Sequence, residues 1–176
     1  MSDESDERLK GLVEDLEKKY QRLTKYRASL SWRFFQGKIE GAHLSDYDDS
    51  HWEIASLPIA WDPAKGDVWL RCVVSVPEQI EGIAISGTKA EMYSFIMTNG
   101  AEIFVDSKLA LMEGYWTDLR GPRILIAERV KAGERHVVAI HCFVKIPVAK
   151  GERAGIPPMN LSYEAVEKVA FEVGSL

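Results

Sequence analysis

Carboxylates crowd one stretch of the sequence: Glu40, Asp46, Asp48, Asp49, Glu53 and Asp62 all fall between Lys38 and Lys65, with no Lys or Arg among them. Such a crowd needs solvent, backbone donors or a cation. Asp46, Asp48 and Asp49 place several oxygens within one short turn, which suits a structural calcium ion, but the stretch lacks the glycine and distal glutamate of a helix-loop-helix calcium site. Asp48, Asp49 and Ser50 also hydrogen-bond readily to backbone N–H groups two residues on, so the plainer reading is a compact turn that fixes Trp52 in one orientation. Pro58 then holds Leu57 extended, and Trp61 closes the stretch.

A second cluster, Tyr115, Trp116, Asp118 and Arg120, sets flat aromatic faces beside fork-shaped hydrogen-bonding groups. Sugars present apolar C–H faces and hydroxyl edges, so this loop is the candidate carbohydrate contact. The competing reading packs Trp116 over a sheet edge and pairs Arg120 with a nearby acid. His136 and His141 stand five apart in one predicted strand and so point to opposite faces, which excludes simple co-ligation. Nucleophile elbow, phosphate loop, zinc spacing and dinucleotide fingerprint are all missing from the sequence, and no carboxylate pair singles itself out for acid/base work.

The elements that position these groups are mostly strands. Leu9, Leu12, Val13, Leu16, Tyr20, Leu23 and Tyr26 recur at steps of three and four, which predicts an amphipathic helix from Ser5 to about Ser29, acidic first and basic last in accord with its dipole. Its stripe is expected to dock on the chain's own sheet or on a neighbouring domain. After Ser29 the period becomes two. Strands are expected at Leu30 to Phe35, Val68 to Val76, Ile80 to Ser86, Glu91 to Thr98, Glu102 to Val105, Lys108 to Met112, Arg123 to Ala127 and His136 to Ile146, with a tight turn at Asn99-Gly100. Gly151 to Pro158 reads as a linker into a helix over Leu161 to Val173, capped by Ser162. The expectation is therefore a mainly β protein, an antiparallel jelly-roll β-sandwich with an N-terminal amphipathic helix and a C-terminal helix. Its parts are residues 1–29, 30–148 and 149–176.

A net charge of -5 in 176 residues gives no electrostatic reason to bind nucleic acid or an anionic membrane. Cys72 and Cys142 lie in alternating apolar stretches and read as buried thiols. The acidic, polar N-terminus has no signal-peptide pattern, which makes a cytoplasmic location the default expectation.

Asp46-Tyr47-Asp48-Asp49-Ser50-x-Trp52, followed by Leu57-Pro58-x-x-Trp61, resembles the opening of the galactose-binding-like β-sandwich domains that precede the catalytic domain in many glycoside hydrolases. β-Galactosidase-like and α-mannosidase-like enzymes are among them. Trp69-Leu70-Arg71 with Val76-Pro77-Glu78, Glu102 to Asp106, and Ile124 to Val130 with Lys131 to Glu134 continue the resemblance, which covers roughly Leu30 to Ile146. The chain departs from it where Ile59-Ala60 replaces His-Asp and Asp106-Ser107 replaces Asn-Gly. The flanking helices look more like the family 38 α-mannosidase arrangement, with family 2 β-galactosidase-like enzymes second. The resemblance implies a non-catalytic accessory domain without a cofactor of its own. The catalytic aspartate and zinc belong to a separate downstream domain, and the partners are that domain and carbohydrate. The alternatives are a free-standing carbohydrate-binding module and a protein-interaction domain that docks through the N-terminal helix.

Overall fold

The computed structural model describes residues 2–25, 30–93, 96–98, 100–114, 123–144, 151 and 153–175. Helix α1 (Ser2–Lys25) is followed by β1 (Trp32–Gln36), β2 (Glu53–Ala55), β3 (Ile59–Trp61), a 3-10 turn at Pro63–Lys65, β4 (Val68–Ser75), β5 (Gln79–Ile80), β6 (Ile83–Ala84) and β7 (Ala90–Tyr93). Then come β8 (Gly100–Val105), β9 (Lys108–Gly114), β10 (Arg123–Ala127), β11 (Arg135–Cys142), β12 (Ala154–Ile156), β13 (Asn160–Tyr163) and helix α2 (Glu164–Gly174). The strands build a six-stranded sheet in the order β2-β1-β4-β11-β8-β9, a three-stranded sheet β10-β7-β13, and the pairs β12-β3 and β5-β6. Every pairing is antiparallel. The result is the open jelly-roll sandwich expected from the strand series.

Alternation along the strands fixes which side faces inward. Val68, Leu70, Cys72 and Val74 of β4 and Val138, Ile140 and Cys142 of β11 turn to the core, where they meet Met92, Ile124, Leu161 and Tyr163 from the smaller sheet. Each such aliphatic side chain stabilises the fold by about 1.5–3 kcal/mol on full burial. Both cysteines are free and buried, and burial pushes both thiols far above their ordinary pKa.

Several local expectations change. Ile80 to Ser86 is not one strand. Glu81 and Gly82 adopt positive φ and fold it into the short hairpin β5-β6. Gly100 opens β8 instead of joining β7 to it, because β7 pairs with β10 and β13 and the chain has crossed to the other sheet; Asn99 lies outside the described residues. A Cβ on Gly100 would stand 2.8 Å from the Phe143 ring, so glycine is required by close approach. The tight turn falls instead at Asp106-Ser107, both at positive φ, as a two-residue hairpin loop demands. Within the stretch read as a linker, Ala154–Ile156 pairs with β3, and Leu161 to Tyr163, read as the first turn of the C-terminal helix, lie instead in β13 and pair with β7. Gly155 lies so close to the Ile59 carbonyl that a Cβ would come within 2.9 Å of it. Ser162 sits in β13 and caps nothing, since α2 begins after Tyr163 without a side-chain cap bond.

Helix α2 is held to the smaller sheet by Glu164 N–H donating to the Lys89 carbonyl and by the Tyr93 hydroxyl donating to Glu167 at 2.9 Å. Burial, and that bond to Glu167, push the Tyr93 phenol up to about 12. Helix α1 does not lie on the sheet. Only its end is docked, through buried Leu23, an Arg22–Glu81 ion pair at 3.1 Å and contact with α2.

Candidate functional site

The acidic stretch folds over the outer face of the six-stranded sheet, and Arg71 of β4 is its anchor. The alternation that turns Leu70 and Cys72 inward turns Trp69 and Arg71 outward. The loop covers both, leaving Arg71 2% exposed. Its Nε donates to Asp49 Oδ2 at 2.8 Å, Nη1 to the carbonyls of Ala42 and Leu44, and Nη2 to the carbonyl of Tyr47 at 3.4 Å, while the Tyr47 ring lies 5.5 Å from the guanidinium carbon. A buried cation survives only when its donors are satisfied in this way. Asp48 turns back on the chain and accepts the Ser50 N–H at 3.0 Å. That backbone bond, with a second from the Ser50 side chain, holds the Asp48 carboxyl below its usual range. Asp46 is exposed on the turn. No group of three or more His, Cys, Asp or Glu among the described residues is arranged to hold a metal ion, and Asp49 and Asp48 are engaged by Arg71 and by Ser50.

Trp52 is buried in a satellite cluster with Ala42 and Trp69, its ring 5.5 Å from Phe35 and 5.6 Å from Tyr47. Trp69 in turn stacks on His141 of β11, with centroids 4.2 Å apart and planes within 7°. Carboxylates flank both nitrogens of that imidazole: Glu102 lies 3.1 Å from Nδ1 and Asp67 3.4 Å from Nε2. Phe104 and Phe143 complete the aromatic patch. His136, at the other end of β11, lies 2.7 Å from Asp106, and the two histidines do not meet. The His141 array is invisible in a single sequence, because it depends on the register that sets His141 opposite both Trp69 and Glu102.

Trp61 belongs to the main core, and Leu57-Pro58 just before it is a cis peptide. Its outer rim borders a hollow of about 330 Å³ lined by Phe34, Gln36, Glu53, Asp62 and Arg153 among others. Its lining mixes the aromatic rings of Phe34 and Trp61 with the carboxylates of Glu53 and Asp62 and the cations of Lys65 and Arg153, groups chemically suited to a polyhydroxyl ligand. The predicted contact loop, Tyr115, Trp116, Asp118 and Arg120, lies outside the described residues. The structure therefore brings Trp61 to a concave site and commits Asp48, Asp49 and Trp52 to the corner.

The open antiparallel sandwich is similar in fold to parts of glycoside hydrolases, a family 2 member among them. The chain is similar to Bacteroides uniformis β-glucuronidase (TM-score 0.61, 19% identity, 78% of this chain and 17% of that one) and to a family 2 member from Bacteroides cellulosilyticus (0.60, 19%, 76% and 20%). It is also similar to a β-glycosidase from Bacteroides vulgatus (0.54, 14%, 79% and 20%). The chain thus spans about a fifth of the length of the structures it matches. No family model and no curated protein matches its sequence. The family 2 member among these structures lies in the branch that the sequence reading placed second, behind the family 38 α-mannosidase arrangement. No helix among the described residues is long and apolar enough to cross a membrane.

Proposed function

We propose that this domain is a non-catalytic accessory unit that packs against the catalytic domain of a glycoside hydrolase and shapes carbohydrate access to it. One observation carries the reading: about three quarters of the chain superposes on the sandwich of much longer glycosidases, at 76–79% of this chain and 17–20% of theirs. The helices that flank the sandwich favour an α-mannosidase, and the fold likeness to a family 2 member favours the alternative branch. Antibody against this chain is expected to precipitate, from the native host, an activity that hydrolyses aryl α-mannosides, while the purified 176-residue chain hydrolyses nothing. Hydrolysis of β-glucuronides or β-galactosides instead moves the assignment to family 2, and no glycosidase in the precipitate overturns it.

The hollow beside Trp61 favours a second reading, a carbohydrate-binding module. In that case calorimetric titration with monosaccharides gives binding that Arg153→Ala abolishes and Trp116→Ala leaves intact. Loss in Trp116→Ala alone places the ligand on the 115–120 loop, and no heat with any sugar removes the module reading.

A further inference from the structure

His141 is a ring with an acceptor at each end. Glu102 Oε2 lies 3.1 Å from Nδ1 and Asp67 Oδ2 lies 3.4 Å from Nε2, and all three side chains are largely buried, at 25%, 23% and 18% exposure for Glu102, Asp67 and His141. Among the described residues no Lys or Arg pairs with either carboxylate, and the imidazole is the one hydrogen-bonding partner of both. Its ring contacts are aromatic: Trp69 of β4 stacks on its face and Phe143 stands 5.1 Å away. The remaining titratable group of the patch, His43, meets Phe104 of β8 at 4.9 Å and lies one ring further out.

A neutral imidazole carries one N–H, and an ionised carboxylate only accepts. With a neutral ring, one of the two contacts is a hydrogen bond and the other sets a ring lone pair against a carboxylate oxygen. The imidazolium carries two N–H groups and satisfies both carboxylates with charge-assisted bonds. Its charge then also lies over the Trp69 indole, whose centroid is 4.2 Å away, as in a cation–π contact. Three separate contacts thus favour the charged ring. Asp67 directly precedes β4, and Glu102 and His141 lie in β8 and β11, so that ring ties together three neighbouring strands. We propose that Glu102, His141 and Asp67 form a proton-operated clamp on the outer face of the sheet, closed when the ring is charged and open at Asp67, the longer contact, when it is neutral. The Asp67 carbonyl also accepts the Gly37 N–H at 2.7 Å, at the root of the acidic loop, so the clamp links protonation to the seating of the corner. The folded chain holds this proton through contacts that the unfolded chain lacks. The stabilisation is therefore present at lower pH and is lost as pH rises through the range in which histidine titrates, about pH 5 to 8. This device goes beyond the accessory role and does not depend on it.

Nitrogen-resolved NMR of the full 176-residue chain at about pH 7 tests the clamp. The wild-type His141 ring is expected to carry a proton on each nitrogen. In Glu102→Gln the new amide can donate to Nδ1 while the neutral ring still donates to Asp67, so one ring proton is expected to be lost. Asp67→Asn is the mirror case and serves if Glu102→Gln does not fold. Between about pH 5.5 and 8.5 the urea midpoint is expected to fall in the wild type and to fall about half as much or less in either variant. His136, which sits between Asp106 and Glu134 at the other end of β11, is common to every chain, so the differences report on His141. A wild-type His141 ring with one bare nitrogen at about pH 7 overturns the proposal. So do midpoints that follow pH identically in the wild type and the variants.

Discussion

Replacing Arg71 with methionine is expected to lower stability by about 3–5 kcal/mol, the range for removing one member of a buried, fully hydrogen-bonded charge pair. Methionine fills much of the stem's volume but leaves the carbonyls of Ala42 and Leu44 without their donor and Asp49 without its countercharge. Each buried acceptor left unpaired costs about 1–3 kcal/mol. Asp49→Ala is expected near the lower end, at about 3 kcal/mol, because the guanidinium it abandons is almost wholly buried but keeps its carbonyl partners. At about 2–4 °C per kcal/mol for a chain of this size, the Arg71 variant melts about 6–20 °C below wild type. In a double-mutant cycle the two changes are expected to be strongly less than additive. Urea midpoints unchanged within error in both variants would show that the corner contributes nothing to stability.

The second large effect is at Trp52. Truncation to alanine empties the centre of the satellite cluster and is expected to cost about 3–5 kcal/mol. Trp52→Phe is expected to cost less than Trp52→Ala, because a six-membered ring still fills most of the site. It keeps the ring contacts to Phe35 and Tyr47 and removes an indole N–H that has no acceptor among the described residues. Chemical denaturation followed by circular dichroism measures both. Trp52→Ala is expected to leave any sugar affinity of the folded chain unchanged, since the residue is 3% exposed; lost affinity with an unchanged midpoint would make it a ligand contact instead.

What the sequence revealed follows from the range of the interactions involved. Residues 68–76 announce β4 and its two faces, because a strand buried on one side must alternate, and Asp48-Asp49-Ser50 announces a turn, because those side chains bond within two residues of themselves. Arg71 reads as an outward strand residue but not as the anchor of the acidic loop, since its carboxylate partner is 22 residues away. His141 gives no signal at all; its neighbours Asp67 and Glu102 are set by register across three strands. Gly155 and Pro158 look like linker residues because they break the period, and the strands around them are too short to show one. The candidate hollow escapes sequence reasoning for the same reason, as it joins β1, β2, β3 and the residue before β12.

The pairing of β12 with β3 also bears on how the domain is made. Ile156 finds its partner at Ile59 and Tyr163 finds Ala90, so strands laid down early wait for neighbours many tens of residues later. Loop closure over such spans is entropically costly and slow. During synthesis, β3 and one edge of β7 are therefore open to the wrong strand until residues 154–163 have left the ribosome. Cooperative closure belongs to the completed chain, and α2, which directly follows the final strand, is the element that arrives as the sandwich shuts.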